Sequence, residues 1–191
     1  MYLVIDSETT GLPRNWKAPI SDLSNWPRVI QIAWSLFGKD YQPLESATHL
    51  IQPEGFTIPE EVQRIHGITT ERALAEGRQL LSVLQELTAA VAKSEIIIAH
   101  NIRFDENVIS AEYLRLKLNP PFERRKRICT MMQSTDLCHI PGPYGYKWPT
   151  LSQLHWELFL TGHEDAHDAG ADVAACAKCF FELKRRGVIS L

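Results

Sequence analysis

Apolar positions along the chain change period several times, and each change marks an element. Leu3, Val4 and Ile5 are consecutive and apolar, which predicts a strand over Tyr2 to Ser7 buried on both faces. Val29 to Phe37 and Ser46 to Ile51 predict two more strands, joined through Gly38-Lys39-Asp40 as a hairpin. Pro59 to Ile65 suits a short helix that opens on proline and stops at Gly67. Leu80, Leu81, Leu84, Leu87 and Val91 then recur at helical spacing within Arg78 to Lys93. Glu95 to Ala99 predicts a central strand, Ile102 to Lys117 a helix, and Arg127 to Thr130 a short fifth strand. Thr150 to Phe159 and Asp168 to Arg186 complete the set as helices. Three early strands followed by alternating strands and helices predict an α/β layered domain with a mixed sheet. Between the first two strands lies Pro13 to Pro27, polar and long for a loop, carrying Trp16 and Trp26. An idle surface loop is the default reading of this insertion, and a substrate-side flap the functional one.

Composition narrows the class. The 191 residues, 45% hydrophobic and 23% charged, suit one globular domain over 1–191. The longest strongly apolar run, Ile96-Ile97-Ile98-Ala99, is far short of the ~20 residues of a membrane span. No bases precede the apolar start, and Asp6 and Glu8 interrupt it, which argues against a signal peptide. A soluble cytoplasmic domain with no membrane attachment is expected. The four cysteines then read as reduced thiols. Cys176-x-x-Cys179 lies on an apolar helical stripe with no second such pair, which favours buried inert thiols over zinc. A net charge of −3 looks wrong for gripping nucleic acid, but clustered carboxylates bind cations. Six bases between Arg115 and Arg127 face one acid, Glu123, and read either as a solvated helix end or as a phosphate-binding patch.

The candidate chemistry rests on carboxylates in places where carboxylates are costly. Asp6 and Glu8 close the first strand, and period-two alternation puts them on one face, ~7 Å apart along the chain. Such a pair repels itself unless a divalent cation relieves it. In the next helix Ile102, Asp105 and Ile109 share a stripe, so Asp105 occupies an apolar position. A helix N-terminus offsets part of that cost, which is the purely structural alternative. The last helix repeats the anomaly with Ala169, Asp172, Cys176, Cys179 and Leu183. His167 stands five residues before Asp172; on a continuous helix it would be rotated about 140° away, so a preceding loop is expected to carry it.

Together these segments closely resemble the proofreading-type 3′–5′ exonucleases of the DEDD group, histidine subgroup, over nearly the whole chain. The motifs stand as Asp6-Ser7-Glu8-Thr9-Thr10-Gly11, His100-Asn101-Ile102-Arg103-Phe104-Asp105 and His167-Asp168-Ala169-Gly170-Ala171-Asp172. Ile65-His66-Gly67-Ile68-Thr69 is similar to a loop beside the family's active site. Asp168 departs from the basic residue of many relatives, and no tyrosine occupies the position that defines the tyrosine subgroup. His163 and Asp165 are rival candidates whose spacing from Asp172 does not fit the third motif.

The resemblance implies an RNase H-like fold, with a five-stranded mixed sheet and helices on both faces. It implies two divalent cations, Mg²⁺ or Mn²⁺, on Asp6, Glu8, Asp105 and Asp172, with His167 as general base. It further implies that Thr9, Leu12, His66, His100, Asn101 and Phe104 meet the terminal nucleotide. The implied reaction releases nucleoside 5′-monophosphates from a 3′ end, DNA before RNA, with a polymerase or other replication or repair protein as a candidate partner. Only 19 residues follow Asp172, so no attached polymerase or helicase domain is expected. An exoribonuclease and a non-catalytic nucleic-acid-binding or polymerase-docking module stay open as alternatives.

Overall fold

The computed structural model describes residues 1–162 and 166–191. Five strands form a mixed sheet in the order β3-β2-β1-β4-β5. Its members are β1 (Tyr2–Thr9), β2 (Val29–Phe37), β3 (Pro43–Leu50), β4 (Ile96–Ala99) and β5 (Lys126–Cys129). The first three strands run antiparallel as a meander, whereas β1, β4 and β5 are parallel. β1 is therefore the middle strand, and β4 lies between it and β5.

Alternation along β1 feeds two cores. Leu3 and Ile5 pack into one with helix α3 (Leu80–Lys93) and helix α4 (Ile102–Arg115). Tyr2 and Val4 pack into the other with α7 (Leu151–Phe159) and α8 (Ala169–Arg185). Asp6 and Glu8 continue the second series and Ser7 the first, so the end of β1 presents polar groups to both helix layers. Leu84 and Leu87 on α3 are fully buried, and truncating either to alanine would cost about 2–5 kcal/mol.

Two short helices, α1 (Glu60–His66) and α2 (Thr70–Glu76), sit over a small third cluster of Ile30, Ile58, Ile68 and Ala73. The apolar pattern misses α2 because Ala73 is its one buried residue. Its ends are nevertheless marked: Thr69 accepts a capping bond from the Arg72 amide, and Gly77 follows. Short helices α5 (Thr130–Gln133) and α6 (Thr135–Cys138) and a small hairpin, β6 (Pro141–Gly142) with β7 (Gly145–Tyr146), also escape periodicity. Each is too short to display one.

The Pro13 to Pro27 insertion has no regular structure but is firmly tied down. Trp26 and Asn25 are buried, and the Trp26 indole donates to the Pro19 carbonyl at 3.0 Å. Arg115 on α4 donates to the carbonyls of Leu23 and Trp26 at 2.8 and 2.7 Å. Much of the basic cluster is likewise spent on structure, with Arg127 paired to Glu106 and Arg125 on the Ala92 carbonyl. Cys129, Cys176 and Cys179 are buried free thiols, and burial pushes the Cys179 thiol up to about 12. Among the described residues, no helix is long and apolar enough to cross a membrane.

Candidate active site

β1 ends in a bulge between Glu8 and Thr9, where its register against β2 shifts. Bulges re-aim side chains, and this one falls where the strand carries its carboxylates. Opposite it, Asn101 takes a left-handed backbone (φ 77°), a conformation asparagine tolerates, and turns the chain from β4 into α4. The first turn of α4 then brings Asp105 against β1, where Ser7 Oγ donates to Asp105 Oδ1 at 2.8 Å. Asp105 is only 2% exposed.

The other wall comes from α8. Its first turn seats closely on the sheet: a Cβ at Gly170 would stand 2.6 Å from Thr48 Oγ1. Asp168 is its N-cap, with Oδ1 accepting from the amides of Gly170 and Ala171 at 3.0 and 3.1 Å. Gln31, buried on β2 directly across from Glu8, completes the seat. Its Nε2 donates to Asp168 Oδ2 at 3.0 Å, and its Oε1 accepts from the Ala169 amide at 2.9 Å. Both carboxylate oxygens of Asp168 are thus occupied in building the helix start. The residue before it, His167, has a left-handed backbone (φ 74°), and its amide donates to Asp172 Oδ2 at 3.2 Å. Glu8, His167 and Asp172 each offer a ligand atom, all within 4.8 Å of one another.

The electrostatics record how closely the acids approach. Burial raises the Asp6 carboxyl far above the ordinary range, and Asp105, Asp172, Glu8 and Asp168 push it further. Glu8 is raised to about 8, by burial first and then by Asp172, Asp105 and Asp168. Asp105 rises to about 7 through burial, although hydrogen bonds from Ser7 oppose the shift. Among the described residues, no lysine or arginine lies within ion-pair distance of Asp6, Glu8 or Asp105. Acids so arranged hold protons or a cation.

Beside them opens a cleft of about 250 Å³ lined by Glu8, Thr9, Leu12, Ile65, His66 and Phe104, among others. Leu12 and Ile65 are 72% and 56% exposed at its rim. Thr9 turns its hydroxyl onto the Gly11 carbonyl at 2.7 Å, fixing the chain that carries Leu12. His66 Nδ1 accepts from the Ile68 amide at 3.0 Å, so its proton resides on Nε2, which is buried and has no hydrogen-bond partner among the described residues. Burial, and then the nearby His167, lowers the His66 pKa and favours that neutral form.

The two remaining sequence candidates stand differently. His100 uses its ring to tie the β4 end down, donating from Nε2 to the Pro149 carbonyl at 2.9 Å and pairing Nδ1 with Thr130 Oγ1 at 3.0 Å. Asn101 serves through its backbone. Gln31 is the functional-site residue that sequence reasoning passed over; it lies in a strand whose apolar run hides one polar position. His163 and Asp165 lie outside the described residues.

Residues 3–180 match the RNase T family model, described as an exonuclease. The chain belongs to the RNase T exonuclease family. No protein of curated function matches its sequence. Among solved structures, this RNase T family chain is similar to Escherichia coli Exonuclease I bound to a dT13 oligonucleotide. That match has a TM-score of 0.76 and 21% identity, and covers 97% of this chain and 41% of the other. It is also similar to the zinc-bound complex of the same enzyme with single-stranded DNA, with a TM-score of 0.73, 24% identity and 97% and 40% coverage. At that identity the likeness establishes the shared RNase H-like fold. The chain spans about two fifths of the length of those enzymes.

Proposed function

We propose that this exonuclease, of the histidine subgroup, removes nucleotides from the 3′ end of DNA, from single-stranded or frayed termini, as nucleoside 5′-monophosphates. The observation that carries the reading is the convergence of Asp6, Glu8, Asp105 and Asp172 with His167 at the mouth of a cleft. A carboxylate cluster in which Asp6, Glu8 and Asp105 have no balancing lysine or arginine among the described residues, beside an apolar pocket with one buried donor from His66, fits a charged phosphodiester joined to a flat base.

The donor set fits two divalent cations, since hard Mg²⁺ or Mn²⁺ prefers carboxylate oxygen. Asp6, Glu8, Asp105 and Asp172 would hold them. When bound, such cations neutralise the phosphate and stabilise the leaving oxygen. The chain's own residues do the rest. Exposed His167 takes the proton from the attacking water, whose oxygen forms a new bond to phosphorus as the bond to the 3′-oxygen breaks. The leaving oxygen collects a proton from solvent. Leu12 and Phe104 grip the terminal base, and the His66 Nε2–H donates to an oxygen of the same nucleotide. Asp168 and Gln31 hold the loop that presents His167.

The test uses matched 5′-labelled single-stranded DNA and RNA with Mg²⁺, Mn²⁺ or EDTA, resolved at single-nucleotide steps. A metal-dependent ladder shortening from the 3′ end, faster on DNA, is expected. A faster RNA ladder would reassign the substrate. Intact oligonucleotides with folded protein under every metal condition would overturn the catalytic reading.

A further inference from the structure

The insertion that interrupts the first two strands sets one aromatic side chain, Trp16, against the cleft residue Phe104, and neither core includes it. Trp16 is 39% exposed and leans on Phe104, with ring centroids 5.8 Å apart at 47°. Phe104 lines the cleft, and Trp16 packs against Phe104. Its backbone is held in place from two directions. Arg103 Nη2 donates to the Trp16 carbonyl at 2.7 Å, and buried Asn25 brackets Asn15, accepting from its amide at 2.7 Å and donating to its carbonyl at 3.1 Å. An idle loop has no need of such fastening.

The charged residues flanking Trp16 in the chain, and the arginine that holds its carbonyl, are all basic. Arg14, Lys17 and Arg103 are all exposed, and among the described residues none has a carboxylate within ion-pair distance. An aromatic face flanked by unneutralised cations suits a strand whose bases stack and whose phosphates are negative. We infer that Trp16, with Arg14 and Lys17, forms a second nucleotide subsite that stacks a base upstream of the terminal nucleotide and holds its phosphate. The inference rests on the single-stranded substrate proposed above, and it makes the insertion a determinant of grip on longer strands.

Binding and cleavage test it separately. In EDTA, anisotropy of 5′-fluorescein oligo-dT should show Trp16→Ala binding about tenfold more weakly, with Trp16→Phe largely restored. Arg14→Ala with Lys17→Ala should lower the salt slope by roughly 0.7 per lost phosphate contact. With metal, Trp16→Ala should raise KM on oligo-dT and leave kcat within twofold. The p-nitrophenyl ester of thymidine 5′-monophosphate, which fills only the terminal site, should be cleaved at the wild-type rate. Unchanged binding, or parallel loss on oligonucleotide and ester, overturns the subsite. Trp16-dependent binding by a wild-type protein that cleaves nothing overturns the exonuclease reading and leaves the subsite standing.

Discussion

Asp105 and Glu112 lie two turns apart on the same helix, and both are buried acids, at 2% and 0% exposure. Their surroundings differ completely. Glu112 Oε1 accepts from Arg28 Nε at 2.9 Å and the Val29 amide at 3.0 Å, and pairs with Arg115 at 3.0 Å. The protein supplies its counter-charge. Asp105 instead faces Asp6, Glu8 and Asp172, with the Ser7 hydroxyl as its side-chain donor. A buried acid with its own arginines locks the insertion to the core. A buried acid among other acids has only a hydroxyl to oppose its burial, which is what the proposed cation site rests on. The contrast separates a carboxylate neutralised by arginines from one surrounded by carboxylates, without reference to any relative.

The largest effects should fall on opposite properties at the two places. Asp6→Asn and Asp172→Asn should each reduce nuclease turnover by at least about 10³-fold. In EDTA, Asp6→Asn should unfold no earlier than wild type, because it removes repulsion. Glu112→Ala should do the reverse. Leaving Arg28 and Arg115 uncompensated costs about 3–5 kcal/mol in urea unfolding, with turnover per folded molecule within a few-fold of wild type. Wild-type turnover in Asp6→Asn, or unaltered stability in Glu112→Ala, would erase the distinction.

Acidity sharpens the same contrast at smaller amplitude. Glu8 at about 8 and Asp105 at about 7 lie above their unfolded values, so the folded metal-free protein holds protons that the unfolded chain releases. Their contribution to stability is fully present below about pH 4 and is lost as pH rises through 7 to 8. Metal-free melting temperature should therefore fall from about pH 4 upward and level off above about pH 8, and Mg²⁺ or Mn²⁺ should restore it at the upper end. Asp6→Asn should flatten the slope, whereas substitutions at Glu112 should not.

A reciprocal exchange tests the seat of the histidine loop. Gln31→Glu and Asp168→Asn should each lower turnover about tenfold, a typical loss for groups that orient ligands. The double variant recovers the side-chain bond with donor and acceptor exchanged, keeps an acceptor for the Ala169 amide and leaves the net charge unaltered, so it should regain most of the activity. Additive losses would show that the clamp does not act as a unit. The smallest effect is expected at the thiols: Cys176→Ala with Cys179→Ala should cost about 1 kcal/mol each in stability and leave turnover intact.

Much of this was legible before any coordinates. The five strands and the four longer helices follow from runs and periods of neighbouring residues. The anomaly of Asp105 and Asp172 in apolar stripes followed from the same periods. The loop placement of His167 followed from helical rotation. What escaped were α2, with one buried residue, the four-residue α5 and α6, and the small hairpin, with two-residue strands, because none is long enough to show a period.

By itself, the sequence determined which stretches are helix or strand and which carboxylates occupy apolar positions, because both depend on residues a few places apart. Only the tertiary structure decided that Arg28, 84 residues from Glu112, neutralises one acid, while Ser7, 98 residues from Asp105, merely orients the other. It alone set Gln31 against Asp168, and Trp16 against Phe104. Charge compensation and ring contact act over a few ångströms of space, and chain separation does not encode that distance until the sheet and its two helix layers have closed.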